Sequence, residues 1–495
     1  MQLSYIKSSA LCILLITAQL FSSCQSPAET IETTQPETDT DTATTALDEL
    51  TSGVPDDVSF DGEVIRILNA PSQSPELLSA DETNGDVLND SVYKRNIDVM
   101  EKLDVTLEFI TGSHNDILTT VPNSVQANDD AYDLITSCQY QLIKMLASGM
   151  FLNIMDAPYI DLDSPWWPEI YIDNVNLGRD RRYFVTGDAT LQYLRWISAC
   201  YFNKQMYTDY IGDPNEMYEL VYDGKWTFDK LNELTANIYQ DLNGNGKTDE
   251  ADILGYSVNT ASGADSLFYD SGAVLTVIDS AGLPELAIYN ELNINILTKF
   301  HELLYNNEAA WITNSGWDFL NSNLPQKFAQ DQLMFMFAYF FTSDYLRDMK
   351  SEYGVIPYPK YDESIEDYRA IIHNDVSLFC LPVTCRKYDE VCAVLEEMAY
   401  QGYISTTPAY YDEVLKNKYV RGDADVASRM IDFIHDRTYT ETVYVYASQL
   451  ADAGYIQRTV ANSTSVDIAS LYAANESKYQ AALDTLLEKY SALEN

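Results

Sequence analysis

Positive charge is scarce in this chain. Thirty Lys and Arg stand against 76 Asp and Glu over 495 residues, a formal net charge of −46. A nucleic-acid partner is excluded, because neutralising phosphates needs a basic face. A polybasic hold on an anionic membrane is excluded for the same reason, and a strongly anionic substrate would need a local cluster of cations. Histidine is also rare, with only His114, His301, His373 and His435. His301-Glu302-Leu303-Leu304-Tyr305 lacks the second His of a zinc-protease helix, and there is no Gly-x-Ser-x-Gly elbow. Carboxylate pairs for glycoside hydrolysis carry no information when acids are this abundant. Beyond the first residues no apolar run reaches membrane-spanning length; the densest, Leu333 to Phe341, is about half of it. Neutral, polar or cationic ligands remain.

What is present is a globular core composition, 46% hydrophobic and 21% charged, with 37 Tyr, 17 Phe and 6 Trp. The length predicts about two to four domains. The start of the chain stands apart: Lys7, the apolar run Ala10 to Ile16, and Phe21-Ser22-Ser23 before Cys24 read as a signal peptide over residues 1–23. This segment resembles a bacterial lipoprotein signal, which implies cleavage before Cys24 and lipidation of that residue; ordinary secretion is the alternative. From Gln25 to Asp57 the sequence turns to Thr, Pro, Asp and Glu with no Lys, Arg or aromatic residue, a stretch unable to offset its ordering entropy and expected to be a disordered tether (24–57). Membrane attachment is then expected only through the N-terminal lipid, on the extracellular face of the cell membrane. Cys138, Cys200, Cys380, Cys385 and Cys392 match neither a disulfide framework nor a paired Cys-x-x-Cys metal knuckle, and read as buried small hydrophobes.

The folded part opens with a strand over Phe60 to Ala70, an amphipathic helix from Asn89 to Leu103, a strand at Val105 to Ile110 and another at Tyr132 to Ser137. This alternation predicts an α/β domain with a mostly parallel sheet, whose strand ends are the usual place for a ligand. Helices are expected at 227–235, 297–305, 388–400 and 470–493, with short strands at 183–185 and 354–357.

Four stretches carry a resemblance. They are Leu88-Asn89-Asp90-Ser91-Val92-Tyr93-Lys94-Arg95-Asn96; Trp166-Trp167 followed by Tyr201-Phe202-Asn203-Lys204; Phe328 to Phe335 leading to Tyr353-Gly354-Val355-Ile356-Pro357-Tyr358-Pro359-Lys360-Tyr361; and Tyr410 to Tyr419. In this order they resemble the extracellular solute-binding proteins of ABC importers, the group that includes oligosaccharide-binding lipoproteins, from about Asp57 to the C-terminus. One departure is that the usual F-x-x-G-x-x-A-M reads Phe328-Ala329-Gln330-Asp331-Gln332-Leu333-Met334-Phe335 here. The resemblance implies an α/β, two-lobed, periplasmic-binding-protein-like (Venus flytrap) fold with an interlobe ligand cleft. One lobe would span 58–165 plus 361–403 and the other 166–360 plus 404–495. It implies capture of a neutral sugar or oligosaccharide by a monomer and delivery to ABC permease transmembrane subunits, with no enzymatic step. It also implies ligand contacts at Asn69, Ser72, Gln139 and Tyr140 after the first and third strands, at Trp166 and Trp167 near a crossover, at Tyr339, Phe340 and Phe341 in an aromatic segment, and at His373 and Asn374 near the returning crossover. The aromatic richness suits sugars, whose apolar C–H faces stack on rings while their hydroxyls need amides and carboxylates. For each of these residues core packing or surface exposure is the competing reading. A surface-anchored glycoside hydrolase and a calcium-stabilised adhesion or scaffold protein are the competing functions.

The sharpest local motif is Asp241-Leu242-Asn243-Gly244-Asn245-Gly246-Lys247-Thr248-Asp249-Glu250-Ala251-Asp252. Side-chain oxygens at Asp241, Asn243, Asn245, Asp249 and Asp252, a carbonyl at Lys247 and the turn at Gly246 fit an EF-hand-type loop for a structural Ca²⁺. A polar turn with coincidental spacing is the alternative. Gly246-Lys247-Thr248 is not a phosphate loop, because the earlier glycine such a loop needs is replaced by Asp241.

Overall fold

In the computed structural model the described residues are 50–314, 316, 319–411 and 424–493. The signal segment, Cys24, most of the acidic tether and the stretch 412–419 lie outside them. The chain from Thr51 onward forms one compact unit. Nine of its strands build two sheets: β1 (Glu63–Ala70), β2 (Val105–Thr111), β3 (Leu134–Cys138), β4 (Ser198–Asn203), β5 (Leu254–Asn259), β6 (Ala310–Thr313), β7 (Leu333–Tyr339), β8 (Tyr353–Ile356) and β9 (Ser377–Cys380). Five helices matter to the site: α1 (Val87–Leu103), α2 (Ser262–Asp270), α3 (Tyr388–Gln401), α4 (Ile456–Ala461) and α5 (Glu476–Ser491).

The first sheet runs β9-β3-β1-β2, with β1 parallel to β2 and β3 and only β9 antiparallel. Its β-branched strands alternate with α1, which starts where Asp86 accepts hydrogen bonds from the N–H groups of Leu88 and Asn89. α1 buries Leu88, Val92, Val99 and Leu103, residues spaced to fall on one helical face, and packs against α3. The second sheet runs β8-β4-β7-β5-β6. The apolar run that is too short for a membrane is β7 and the turn after it: every residue of β7 is buried, as a central strand covered on both faces requires. Among the described residues no helix is long and apolar enough to cross a membrane.

The chain passes between the sheets later than the 165/166 boundary expected. Trp166, Trp167, Ile172, Val185 and Ala189 pack in the core cluster of the first sheet with Ile65, Ile67 and Val99, and Val185 bridges Phe379 in β9. The first crossing therefore lies between Ala189 and β4. The expected strand at 183–185 is reduced to that one bridge, because Asn176 takes up the neighbouring backbone through Tyr183 N–H and Phe184 N–H. The return lies between Tyr361, whose N–H still reaches Ser271 of the second sheet's side, and β9. Ala370–Ile371 pairs there in parallel with Thr438–Tyr439. The expected helix at 470–493 is divided into Ile468–Ala473 and α5. The five cysteines among the described residues are free, four of them buried and Cys385 half-buried.

Candidate functional site

A cavity of about 540 Å³ opens between the two sheets. Its walls come from the carboxyl ends of parallel strands: Ser72 and Gln73 after β1, His114 after β2, Tyr140 after β3, and Asn259, the last residue of β5, with Ala261 and Ser262 after it. That is where open α/β sheets hold ligands, because the strands end there and the following loops are free to present polar groups. The returning crossover supplies His373, Asn374 and Asp375, while Tyr455 and Arg458 come from the start of α4 and the turn before it.

The loop after β1 is pinned from both sides. Asn69 Nδ2 donates to the Pro75 carbonyl at 2.9 Å and to Ser79 Oγ at 3.1 Å. Gln192 Nε2 donates to the Gln73 carbonyl at 2.7 Å, and Gln192 Oε1 accepts from Trp196 Nε1. The crossover is pinned in the same way. His373 N–H donates to the Trp196 carbonyl, Tyr140 N–H to the Asn374 carbonyl, and Asn374 Nδ2 to Tyr455 Oη at 3.1 Å. Both lobes thus grip the segment that forms the floor.

The electrostatics of this floor are nearly balanced. Arg458 forks onto Asp265, a fully buried carboxylate on α2, with Nε at 2.8 Å from Oδ1 and Nη2 on Oδ2. Gln457 Nε2 adds a 2.7 Å bond to the same carboxylate, and the guanidinium stacks 3.6 Å from the Tyr455 ring centroid. That cation is already neutralised. His373 stacks on Trp196 at 4.9 Å and its Nδ1 accepts the Asp375 N–H at 3.2 Å. Burial, with the Arg458 charge adding to it, lowers its pKa to about 3, so the ring is neutral. Asp375 is 8% exposed; burial pushes its carboxyl up to about 7, with the Ser72 hydroxyl opposing the shift.

The expected contact residues divide sharply. Ser72, Tyr140, His373 and Asn374 line the cavity. Tyr339 and Phe341 line a small side cavity of about 20 Å³ that shares Asn259, Ser262 and Asn321 with it; they pack on Trp196 at 5.6 and 4.8 Å and so support the floor. Asn69 is the loop pin described above. The others are not brought to the cleft. Phe340 is fully buried. Gln139 is fully buried and accepts the Tyr171 hydroxyl. Trp166 and Trp167 sit in the first core cluster, Trp166 edge-on to Tyr400 and Trp167 Nε1 on Glu396 at 2.9 Å. These side chains are core because the backbone turns them away from the strand ends. Reasoning from sequence missed Gln73, His114, Asn259, Ser262, Asp375, Tyr455 and Arg458. His114 and Asn259 could have been found, since each ends or follows a strand of the parallel set; Tyr455 and Arg458 carry no local signal.

At the surface loop 241–252, Asp241 accepts the N–H groups of Gly244 and Gly246 on its two oxygens, and both glycines have positive φ. Asn243 and Asn245 turn their amides onto Asp249. Buried Asp252 accepts from Leu242 N–H and Asp249 N–H, and the Lys247 carbonyl accepts the Tyr239 hydroxyl. Among the described residues no group of three His, Cys, Asp or Glu is gathered for a metal; two of the five side chains in this donor set are asparagines.

No protein-family profile matches the sequence, and no curated protein sequence matches it. The fold does find counterparts among solved structures. An ABC substrate-binding protein of Listeria monocytogenes in complex with cycloalternan is similar over 88% of this chain and 100% of its own, at 13% identity and TM-score 0.51. The maltose/maltodextrin-binding domain of Bdellovibrio bacteriovorus bound to maltotriose covers 86% and 100%, at 12% identity and TM-score 0.53. UgpB of Mycobacterium tuberculosis in complex with glycerophosphocholine covers 80% and 96%, at 12% identity and TM-score 0.54. The chain has the two-lobed α/β fold of these substrate-binding proteins.

Proposed function

We propose that this chain is the substrate-binding component of an ABC importer, capturing a sugar or oligosaccharide outside the membrane and passing it to the permease subunits. The observation that carries this reading is the cavity itself: it is walled by strand ends of both sheets and floored by a crossing segment that both lobes hold. A ligand there touches both lobes at once, so its binding energy favours the closed arrangement. The lining is amides, hydroxyls, a carboxylate and the rings of His114, Tyr140 and Tyr455, a mixture suited to saccharide rims and faces. Solved proteins of the same fold hold cycloalternan and maltotriose, which supports the saccharide class. Arg458 is engaged by Asp265, so the site offers no open cation to an anionic sugar among its described residues. A glycoside hydrolase would pair two carboxylates across the cleft; the described lining holds one, Asp375. Thermal-shift screening against a saccharide library should give a stabilising hit, and small-angle scattering with that hit should show a smaller radius of gyration. Absence of any saccharide hit across the library would refute the sugar reading, and unchanged dimensions with a tight ligand would favour a scaffold.

The same proposal includes lipid attachment at Cys24, which would hold the protein at the outer face of the cell membrane on its acidic tether. It also includes a structural Ca²⁺ in the 241–252 loop. Asn243 and Asn245 converge on Asp249, so a cation taking their oxygens and that carboxylate would replace the amide N–H groups that meet Asp249 here. Calorimetry on chelator-treated protein should show Ca²⁺ binding, and saturation at about a hundredfold excess over Kd should add about 2–3 kcal/mol of stability. Asp241→Asn with Asp249→Asn should abolish both effects; a silent titration of the unmodified protein refutes the site.

A further inference from the structure

Asp375 is the group in this cavity that the established parts of the fold leave without a counter-charge. Among the described residues no Lys or Arg lies within ion-pair distance of it. The one basic neighbour is His373 Nδ1 at 3.9 Å, and that nitrogen accepts the Asp375 N–H, so it carries no proton toward the carboxylate. The Ser72 hydroxyl is the one group that draws its carboxyl back down against the effect of burial among the described residues. The carboxylate is not there by accident of a loose loop. Backbone bonds fix residues 373 to 376 on every side: His373 N–H to the Trp196 carbonyl at 3.0 Å, Tyr140 N–H to the Asn374 carbonyl at 3.0 Å, Val376 N–H to the His373 carbonyl at 3.1 Å and Gln139 N–H to the Val376 carbonyl at 2.8 Å.

A carboxylate that is about nine-tenths buried and faces a cavity is costly unless something pairs with it. Elsewhere in the same site the protein shows how it deals with that cost, for Asp265 is met by Arg458 in a two-point fork. At Asp375 no such cation is found among the described residues. The rings of Tyr140 and Tyr455 line the same cavity, and aromatic faces favour cations as well as sugar C–H groups. The surrounding acidic surface, with a net charge of −46 for the whole chain, draws cations and repels anions.

We infer that Asp375 is the specificity-determining residue of the cleft and pairs with a protonated amino group on the ligand, so that the preferred solute is an amino-bearing saccharide. The inference rests on the reading of the chain as a saccharide-binding protein. It adds the class of saccharide and names the residue that selects it. Ser72, on the same oxygen set, would take the hydroxyl next to the amine, and Asn374, held to Tyr455, would complete the polar floor.

The test is calorimetric titration of the full chain with ligands that share one ring and differ at one substituent: glucosamine, N-acetylglucosamine and glucose, and the β-1,4-linked dimers of each, with spermidine as an amine lacking a sugar. The amine member of a series should bind about tenfold or more tightly than its acetylated and hydroxyl counterparts. Asp375→Asn should bring that ratio close to one, and Asp375→Glu, which keeps the charge, should retain a preference for the amine; circular dichroism of both variants checks folding. Equal or tighter binding of the neutral members, or a preference that survives Asp375→Asn, overturns the inference. Spermidine binding more tightly than every saccharide overturns the amino-saccharide class. If a neutral saccharide from the wider library binds while no amine does, the inference fails and the saccharide reading stands; if no saccharide binds, both fail.

Discussion

The ligand-free Asp375→Asn protein should be more stable than the unmodified chain at about pH 8 and no more stable at about pH 4. The sign follows from where the proton is held. Burial raises the Asp375 carboxyl in the folded protein from 3.8 to about 7, while in the unfolded chain it titrates near the ordinary value. Between those two pH values the native state binds more protons than the unfolded state, so the unfolding free energy falls as pH rises. The contribution of the protonated carboxyl is complete below about pH 4 and lost above about pH 7. Each unit of separation is worth about 1.4 kcal/mol, so the variant should gain about 2–4 kcal/mol at pH 8. Urea unfolding of both proteins from pH 4 to 8 measures it. The difference between the two curves isolates Asp375 from Asp188, whose carboxyl burial also raises, to about 6. Parallel curves would show that Asp375 is solvated in the free protein. Stability given up at a binding residue is the expected signature of a site kept for a ligand.

The second large effect concerns the pair beside it. Arg458→Ala should destabilise the protein by about 3 kcal/mol, because it strands Asp265, a carboxylate with no exposed surface, with Gln457 as its remaining side-chain partner. It also removes the guanidinium that lies 3.6 Å over Tyr455. Arg458→Lys should recover only part of the loss, since an ammonium cannot fork onto both carboxylate oxygens. Replacing both members, Arg458→Met with Asp265→Leu, should recover more than Arg458→Lys does, because the cost lies in the unpaired buried charge rather than in the absence of the ion pair. Denaturant midpoints of the three variants decide it. An Arg458→Ala protein within about 1 kcal/mol of the parent would mean that water reaches Asp265.

Much of the first lobe is legible along the chain. The β-branched run at Val64 to Leu68, the face of Val92, Val99 and Leu103, and the alternation at Val105 to Phe109 each specify an element through neighbours within a few residues. The expected helices at 227–235 and 388–400 correspond to Phe228–Thr235 and α3, the former capped by Thr227. Strand ends then point to the cavity, which is why Ser72 and Tyr140 are found there. The adjacent residue, Gln139, goes the other way, because the two open the helical turn Gln139–Leu142, in which neighbouring side chains stand about 100° apart. Trp166 and Trp167 show the limit of reading function from composition. Large rings are what a sugar needs and also what a core needs, and the local sequence does not distinguish them; α3 does, by presenting Glu396 to Trp167 and Tyr400 to Trp166.

The sequence by itself determined the sign of the molecule, the alternating elements of its first sheet, the apolar run that its second sheet buries, and the oxygen spacing of the 241–252 loop. All of these rest on composition or on interactions between near neighbours. Only the tertiary structure decided which polar groups share the cavity. Arg458 meets Asp265 across 193 positions of chain, Tyr455 meets Asn374 across 81, and Asp375 is left unpaired because no described cation packs within reach. Pairings of that kind are set by how two lobes dock and cross, and no local pattern encodes them.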